Sequence, residues 1–213
     1  MTQAKTLPWK TIWVAVSVSV AVALARFVGQ VQGWIDTSSG GGLHPLGVSW
    51  LPFVFGPVFA RRLARDGSAP RSQKTAALGV FGLVVIVAIV IWQFAPLANS
   101  EADPSSVREA TNTALQLAFV VTLAVAAIHA VVWWRLALTL ICYAIPVRIA
   151  VLAVTTVAKQ QDFDTHYTKF GPAGEQFDIA RTLTTATIAQ LGFWVPFAVV
   201  CGFATGGFVR RRR

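Results

Sequence analysis

Residues 11–32 read TIWVAVSVSVAVALARFVGQVQ, and this stretch decides the fold class. It is long enough to cross a bilayer as an α-helix, since about 20 predominantly apolar residues suffice. It holds a single charge, Arg26, and no acidic residue. Because lipid offers the backbone no hydrogen-bond partner, a stretch of this kind must close its hydrogen bonds within itself. The sequence therefore predicts a transmembrane helix here.

The composition of the whole chain points to the same class of protein. Hydrophobic residues make up 55% of the 213 residues and charged residues only 13%, and the mean hydropathy is +0.61. A soluble domain usually carries about a quarter charged residues. The net charge of +9 lies in loops beside apolar stretches, where membrane topology explains it. Nucleic acid is therefore not predicted as a partner.

Five further apolar stretches complete a predicted all-α fold, a six-helix transmembrane bundle that forms one domain over residues 1–213. The predicted spans are residues 11–32, 45–61, 75–97, 113–133, 136–157 and 182–208. The second is short and contains Pro52 and Pro57, which predict a kinked helix. Pro104 is suited to be the first residue of a short helix ahead of the fourth span.

The basic residues predict the orientation of this bundle. In the six-span arrangement, twelve lysines and arginines lie on one side of the membrane and four on the other. Cytoplasmic loops carry the excess of such residues. We therefore expect a multi-pass protein of the cell (inner) membrane, with the lipid bilayer as a partner and both termini in the cytoplasm. Residues 159–181 then form a long loop on the outer side.

Two arginines within the predicted spans are the first candidates for a ligand site. At 1.5 Å per residue, Arg26 lies about 22 Å and Arg148 about 18 Å from the cytoplasmic ends of their helices. A charge at such depth costs about 2.5–3.5 kcal/mol on insertion scales and persists where water, a partner or a ligand meets it. Thr184, Thr187 and Gln190 add a polar stripe on one face of the last span. Together these residues predict a polar vestibule that opens outward and binds an anionic or polar solute.

Structural roles for the two arginines are alternatives to this interpretation. Arg26 is near enough to the outer surface for its side chain to snorkel. Pro146 frees backbone carbonyls that could bind Arg148. A third alternative is a carboxylate that reaches Arg148 from the long loop, which holds Asp162, Asp164, Glu175 and Asp178.

The long loop also contains the segment that most resembles a metal or catalytic site, residues 162–167, DFDTHY. In an extended chain alternate side chains face one way, so Asp162, Asp164 and His166 would form an oxygen and nitrogen ligand set that suits a divalent metal. Alternatively, His166 and Tyr167 could act in acid–base catalysis. A solvated or salt-bridged loop is the simpler interpretation.

No other cofactor is indicated by the remaining histidines and cysteines. His129 lies in the fourth span, but bis-histidine haem needs a facing histidine, and His44 and His166 are both assigned to the outer side. Haem is therefore disfavoured. Cys142 and Cys201 lie in apolar stretches and form no CxxC motif, so we expect them to be buried small residues.

Three functions follow from these features. The leading prediction is a small-solute transporter, channel or binding subunit. The second is a membrane-embedded enzyme with its chemistry in the Asp162–His166 segment, although HExxH, GxSxG and phosphate-binding motifs are absent. The third is a non-catalytic subunit of a membrane complex or a homo-oligomer, because Gly202 and Gly206 form a GxxxG motif of the kind that allows close helix packing.

Overall fold

The computed structural model of the protein describes residues 6–37, 44–70, 74–94, 104–169 and 177–209. Six long helices account for most of them, and no strand occurs within these ranges. The helices are α1 (Trp9–Val31), α2 (Leu51–Arg65), α3 (Lys74–Phe94), α4 (Pro104–Val132), α5 (Trp134–Gln160) and α6 (Ile179–Gly206). The all-α class and the number of helices are therefore confirmed.

Four of these helices contain stretches long and apolar enough to cross a membrane. The stretches are Trp9–Val31, Leu115–Val132, Trp134–Gln160 and Ile179–Gly206. In α3 the apolar part within the described residues is shorter, Thr75–Ile89. The helices are compatible with an integral membrane protein, and the six-span arrangement stays a prediction.

Two helix starts differ from the predicted spans by more than four residues. The second predicted span begins at residue 45, but α2 begins at Leu51 because residues 44–50 form turns, in which the Gly47 N–H donates to the His44 carbonyl at 2.7 Å. The fourth predicted span begins at residue 113, but α4 begins at Pro104. The short helix expected at Pro104 thus continues into the fourth span without a break.

Helices α5 and α6 form the centre of the structure. Leu136, Leu140 and Tyr143 of α5 are at most 1% exposed, and so are Val200 and Phe203 of α6. Helix α1 packs along α5, whereas α2, α3 and α4 pack against α6. The core thus lies along the α5–α6 contact.

Glycines bring α2 and α6 into backbone contact. A Cβ atom added at Gly56 would collide with the Gly202 carbonyl, and one added at Gly206 would lie 2.8 Å from the Gly56 carbonyl oxygen. A Cβ atom at Gly202 would also collide with the Leu140 side chain. The GxxxG motif of α6 is therefore used within the chain, in packing against α2 and α5.

Helix α2 continues through Pro57, although a proline in a helix interior leaves the carbonyl four residues earlier without its helical donor. That carbonyl belongs to Phe53, and the Thr205 hydroxyl of α6 donates a hydrogen bond to it at 2.8 Å. A neighbouring helix thus replaces the missing hydrogen bond, as in membrane helices generally.

Candidate functional site

A cavity of about 160 Å³ lies between the middle of α5, the middle of α6, the last part of α1 and the residues that precede α2. Residues 46–49, which lead into α2, form one side of it. The other sides come from Arg26, Arg148, His166, Tyr167 and residues of α6. The cavity is partly open rather than enclosed.

Arg148 is the buried cation of this cavity. Its side chain is 3% exposed, and its Nη1 donates a hydrogen bond to the Gln190 Oε1 at 3.2 Å. The guanidinium carbon lies 5.0 Å from the centroid of the Trp194 ring, within the range of a cation–π contact. Arg26 is also 3% exposed and lines the same cavity. The structure therefore places the two arginines around one space.

A π-helical segment, Ile188–Phe193, determines which residues of α6 reach this cavity. A π turn adds a residue to the helix and rotates everything after it, and such segments occur frequently at functional sites. Pro196 cannot donate to the Gly192 carbonyl, so regular hydrogen bonding is already interrupted at this point. As a result Gln190 and Trp194 both face Arg148.

Of the predicted polar stripe of α6, only Gln190 lies in the cavity wall. Thr184 and Thr187 are exposed, and the buried positions in this part of the helix are Thr182 and Ala186. The predicted stripe assumed that α6 is a regular helix, on which residues three apart share a face. The π segment begins directly after Thr187 and changes this spacing. Thr184 and Thr187 therefore face away from the cavity.

The segment after α5 folds back over α1 and closes one side of the cavity. Tyr167 is 6% exposed and donates a hydrogen bond to the Ala23 carbonyl at 3.2 Å. The Nδ1 of His166 lies 2.7 Å from the Gln30 Oε1. Phe163 and Tyr167 both contact the Phe27 ring, with centroids 6.0 and 6.1 Å apart. We call residues 163–169 the covering segment.

Both ionisable side chains that the covering segment presents to the cavity are held neutral at neutral pH. Burial lowers the pKa of His166 to about 3, and Arg26 and His44 act in the same direction. Since the Gln30 Oε1 can only accept, the neutral imidazole carries its proton on Nδ1 and keeps Nε2 as an acceptor. Burial raises the pKa of Tyr167 to about 12, although Arg26 and Arg148 oppose this shift.

The acidic residues of the long loop that the structure describes serve other contacts. Asp162 has a φ of +50° and follows the last turn of α5, where the Phe163 N–H donates to the Ala158 carbonyl at 2.9 Å. This is the hydrogen bond of a Schellman helix end. Asp178 caps α6 by accepting from the Arg181 N–H at 2.7 Å. Neither carboxylate pairs with Arg148, and Glu175 lies outside the described residues.

Asp164 lies at the surface and joins the covering segment to the residues after α1. Its Oδ1 is 2.9 Å from Lys169 Nζ, and its Oδ2 accepts from the Thr37 hydroxyl at 3.1 Å. The hydrogen bond from Lys169 lowers the pKa of Asp164.

The predicted metal ligands Asp162, Asp164 and His166 are not brought together. Asp162 ends α5, Asp164 binds Lys169 and His166 faces Gln30, because this segment forms turns rather than an extended strand. Within the described residues no group of three metal-binding side chains occurs.

A buried hydrogen bond and an aromatic cluster lie beneath the cavity. The Tyr143 hydroxyl is 2.7 Å from the Ser19 Oγ, which itself donates to the Ala15 carbonyl at 2.8 Å. The Tyr143 ring also contacts Phe55 and Phe59 of α2 at 5.5 and 5.6 Å. Tyr143 precedes Arg148 by five residues, or about 8 Å along α5. We call Ser19, Tyr143, Phe55 and Phe59 the inner plug.

Several residues of the site have no signal in the sequence. Ser49, Trp194 and Tyr143 belong to segments that are ordinary by composition and meet only in the folded chain. His129, by contrast, is fully buried in the core, with its ring 4.6 Å from that of Phe203.

Comparison with protein-family models, with curated proteins and with solved structures finds no match for this chain.

Proposed function

We propose that this chain is an integral membrane protein that takes up a small anionic solute at the Arg148 cavity, as a transporter, channel or binding subunit. The observation that carries the proposal is that Arg148 is buried beside a cavity and contacts only neutral side chains in the described structure. It is almost fully buried, lines an accessible cavity, and contacts the neutral Gln190 and Trp194 side chains. Neither contact neutralises its charge.

The balance of charge around the cavity favours an anion over a cation. The described residues of its wall include two arginines and no carboxylate. A guanidinium group offers five N–H donors in a planar fork that matches a carboxylate or phosphate. Gln190 accepts one of the Arg148 donors, so the others can bind an anion that enters the cavity. Tyr167, with a pKa of about 12, stays neutral and adds no negative charge that would oppose the entry of an anion.

The proposed direction of access follows from the basic residues. Arg61 and Arg62 lie at the end of α2 that is remote from the cavity, and the excess of basic residues identifies that side as cytoplasmic. The cavity then faces the outer side. In this proposal the inner plug lies between the cavity and the cytoplasmic side, and transport requires a second conformation in which the contacts of the plug open.

The enzyme alternative has less support. A general acid or base works best with a pKa near the operating pH. The pKa of His166 is about 3 and that of Tyr167 about 12, so neither is suited to proton transfer at neutral pH.

Uptake into proteoliposomes tests the proposed function. The purified chain is reconstituted, and the influx of radiolabelled acetate, benzoate, phosphate and chloride is measured for the wild type and for Arg148→Gln. We expect at least one anion to enter through the wild type and its rate to fall at least tenfold in the variant. Arg61→Gln is the matched control, because Arg61 is exposed and distant from the cavity. Equal flux through the wild type and Arg148→Gln would remove the site from the mechanism.

A further inference from the structure

The segment that leads into α2 gives the cavity a second anion-binding feature. Gly47, Val48 and Ser49 line the cavity, and α2 begins at Leu51 with Trp50 as its N-cap. No side chain caps this helix. Pro52 has no N–H and the Phe53 N–H donates to the Trp50 carbonyl at 3.0 Å, so it is the helix dipole that favours a negative charge near this end. The fifteen-residue α2 thus begins two residues after Ser49, the last residue of this segment to line the cavity that holds Arg148.

Ser49 supplies the independent observation that this end of the cavity is built for a ligand. Its side chain is 8% exposed and lines the cavity. The structure gives its hydroxyl no hydrogen bond to any described residue, although Ser19, Thr139 and Thr155 in the helices all donate to a backbone carbonyl. Most of the Ser49 residue is buried, and the part that stays accessible faces the cavity. An anion at the start of α2 would accept the hydrogen bond that Ser49 can donate.

Beside its polar residues the wall also has an apolar part, and this part restricts the chemistry of that anion. Leu46, Val48, Val151 and the Trp194 ring all face the cavity. Phosphate or sulfate would turn unpaired oxygens toward these side chains, at a cost in desolvation. A carboxylate on a small hydrocarbon has its oxygens at one end only. The volume of about 160 Å³ is close to the roughly 150 Å³ of an apolar protein cavity that holds benzene.

The geometry points to a small organic monocarboxylate as the ligand, with its carboxylate between Arg148 and Ser49 and its hydrocarbon part against Trp194. This inference rests on the proposed anion function and specifies its substrate class. Inorganic oxyanions are the alternative, and the test below separates the two.

Binding to the purified full-length chain in lipid nanodiscs tests the assignment. Titration calorimetry is carried out with benzoate, with its neutral isostere benzamide and with inorganic phosphate. We expect saturable binding of benzoate, with benzamide at least tenfold weaker and no competition from phosphate at equal concentration. Empty nanodiscs correct for partition of benzoate into lipid. Phosphate binding as tight as that of benzoate would overturn the assignment.

Two variants test whether the carboxylate binds Ser49 and Arg148. Ser49→Ala should weaken benzoate binding about tenfold, the effect of losing one hydrogen bond to a charged group. Arg148→Gln should abolish saturable binding. Ser17→Ala is the matched control, since Ser17 is exposed on α1, and it should leave binding unchanged. Equal benzoate affinity in Ser49→Ala and the wild type, at equal melting temperature, would remove the start of α2 from the site.

The outcome for the substrate class is separable from the outcome for the function. If Arg148-dependent uptake carries phosphate or chloride but not benzoate, the monocarboxylate assignment fails and the anion function stands. If no anion shows Arg148-dependent uptake or binding, both fail together.

Discussion

The guanidinium group of Arg148 is surrounded by groups that leave its charge in place. It hydrogen-bonds a neutral amide, stacks on an indole and lies beside a cavity that an anion can enter. A residue retained for stability would be paired, because removing a charge from water costs several kcal/mol. Its burial therefore lowers the stability of the empty protein and strengthens the attraction for an anion.

Replacement by methionine separates these two effects. In Arg148→Met a buried charge is replaced by an apolar side chain of similar length, so we expect an equal or higher melting temperature without ligand and no anion uptake. Differential scanning fluorimetry in detergent measures the first quantity. Leu140→Ala, at a fully buried core position, should lower the melting temperature by several degrees. A comparable loss in Arg148→Met would show that Arg148 is structural.

His166 makes the docking of the covering segment dependent on pH. Its pKa falls from 6.5 to about 3 on burial, so between these values the released segment binds a proton that the docked segment excludes. Docking is therefore strongest above pH 6.5 and weakens as the pH falls, by at most about 1.4 kcal/mol per pH unit. Hydrogen exchange of residues 163–169, corrected for intrinsic rates, should accelerate between pH 7 and pH 4.

His166→Gln provides the control for this prediction, because a glutamine amide can still donate to Gln30 but does not titrate. The variant should lose the pH dependence over that range. Asp164 does not account for it. The pKa of Asp164 is lowered below 3.8, so its stabilising contact with Lys169 is kept above that pH and lost only in stronger acid. A pH-independent exchange rate in the wild type would contradict the role of His166.

At the scale of the helices, the contact between α2 and α6 depends on one hydroxyl as well as on the glycines. Thr205→Val removes the donor to the Phe53 carbonyl and leaves that carbonyl buried without a partner. We expect a loss of about 1–3 kcal/mol, seen as a melting temperature lower by about 2–10 °C. Thr184→Val changes the same residue type at an exposed position of α6 and should have no effect. Equal melting temperatures for the two variants would show that Pro57 needs no replacement donor.

The helices themselves were predictable from the sequence, but their registers were not. Runs of apolar residues gave six helices in the right order, and Pro104 marked a helix start. The spacing of Thr184, Thr187 and Gln190 assumed a regular helix, whereas a π segment begins at Ile188. The sequence around Ile188 does not predict a π segment, because the segment depends on Pro196 and on how α6 packs against its neighbours.

The residues of the site were predictable only where a single residue differed strongly in polarity from the sequence around it. A charge within an apolar stretch stands out, so Arg26 and Arg148 were found, and counting residues along each helix placed them at one level. Ser49 and Trp194 belong to the site through contacts between distant segments, which composition does not encode. The aspartates of the long loop suggested a metal, but a helix end and a surface ion pair account for Asp162 and Asp164.

At the scale of the whole molecule, the proposed function requires one orientation in the membrane. Reporter fusions at each terminus test it: a fluorescent protein that matures only in the cytoplasm should be bright at both ends, and alkaline phosphatase should be inactive at both. The physical reason is the twelve basic residues that the six-span arrangement places on the terminal side, against four on the other. Active phosphatase at either end would contradict the predicted orientation, and the cavity could not then be assigned to the outer side.

The two flanks of the cavity are held by different kinds of contact, and this difference indicates how the molecule could flex. Gly56 and Gly206 join α2 to α6 backbone against backbone, so these helices should rotate together as a rigid block. On the opposite flank, α1 meets α5 and the covering segment through side chains, both by packing, as at Phe27, and by single hydroxyls, from Ser19 to Tyr143 and from Tyr167 to Ala23. Side-chain contacts can rearrange one at a time, so the proposed transport would need α1, rather than the α2–α6 pair, to move.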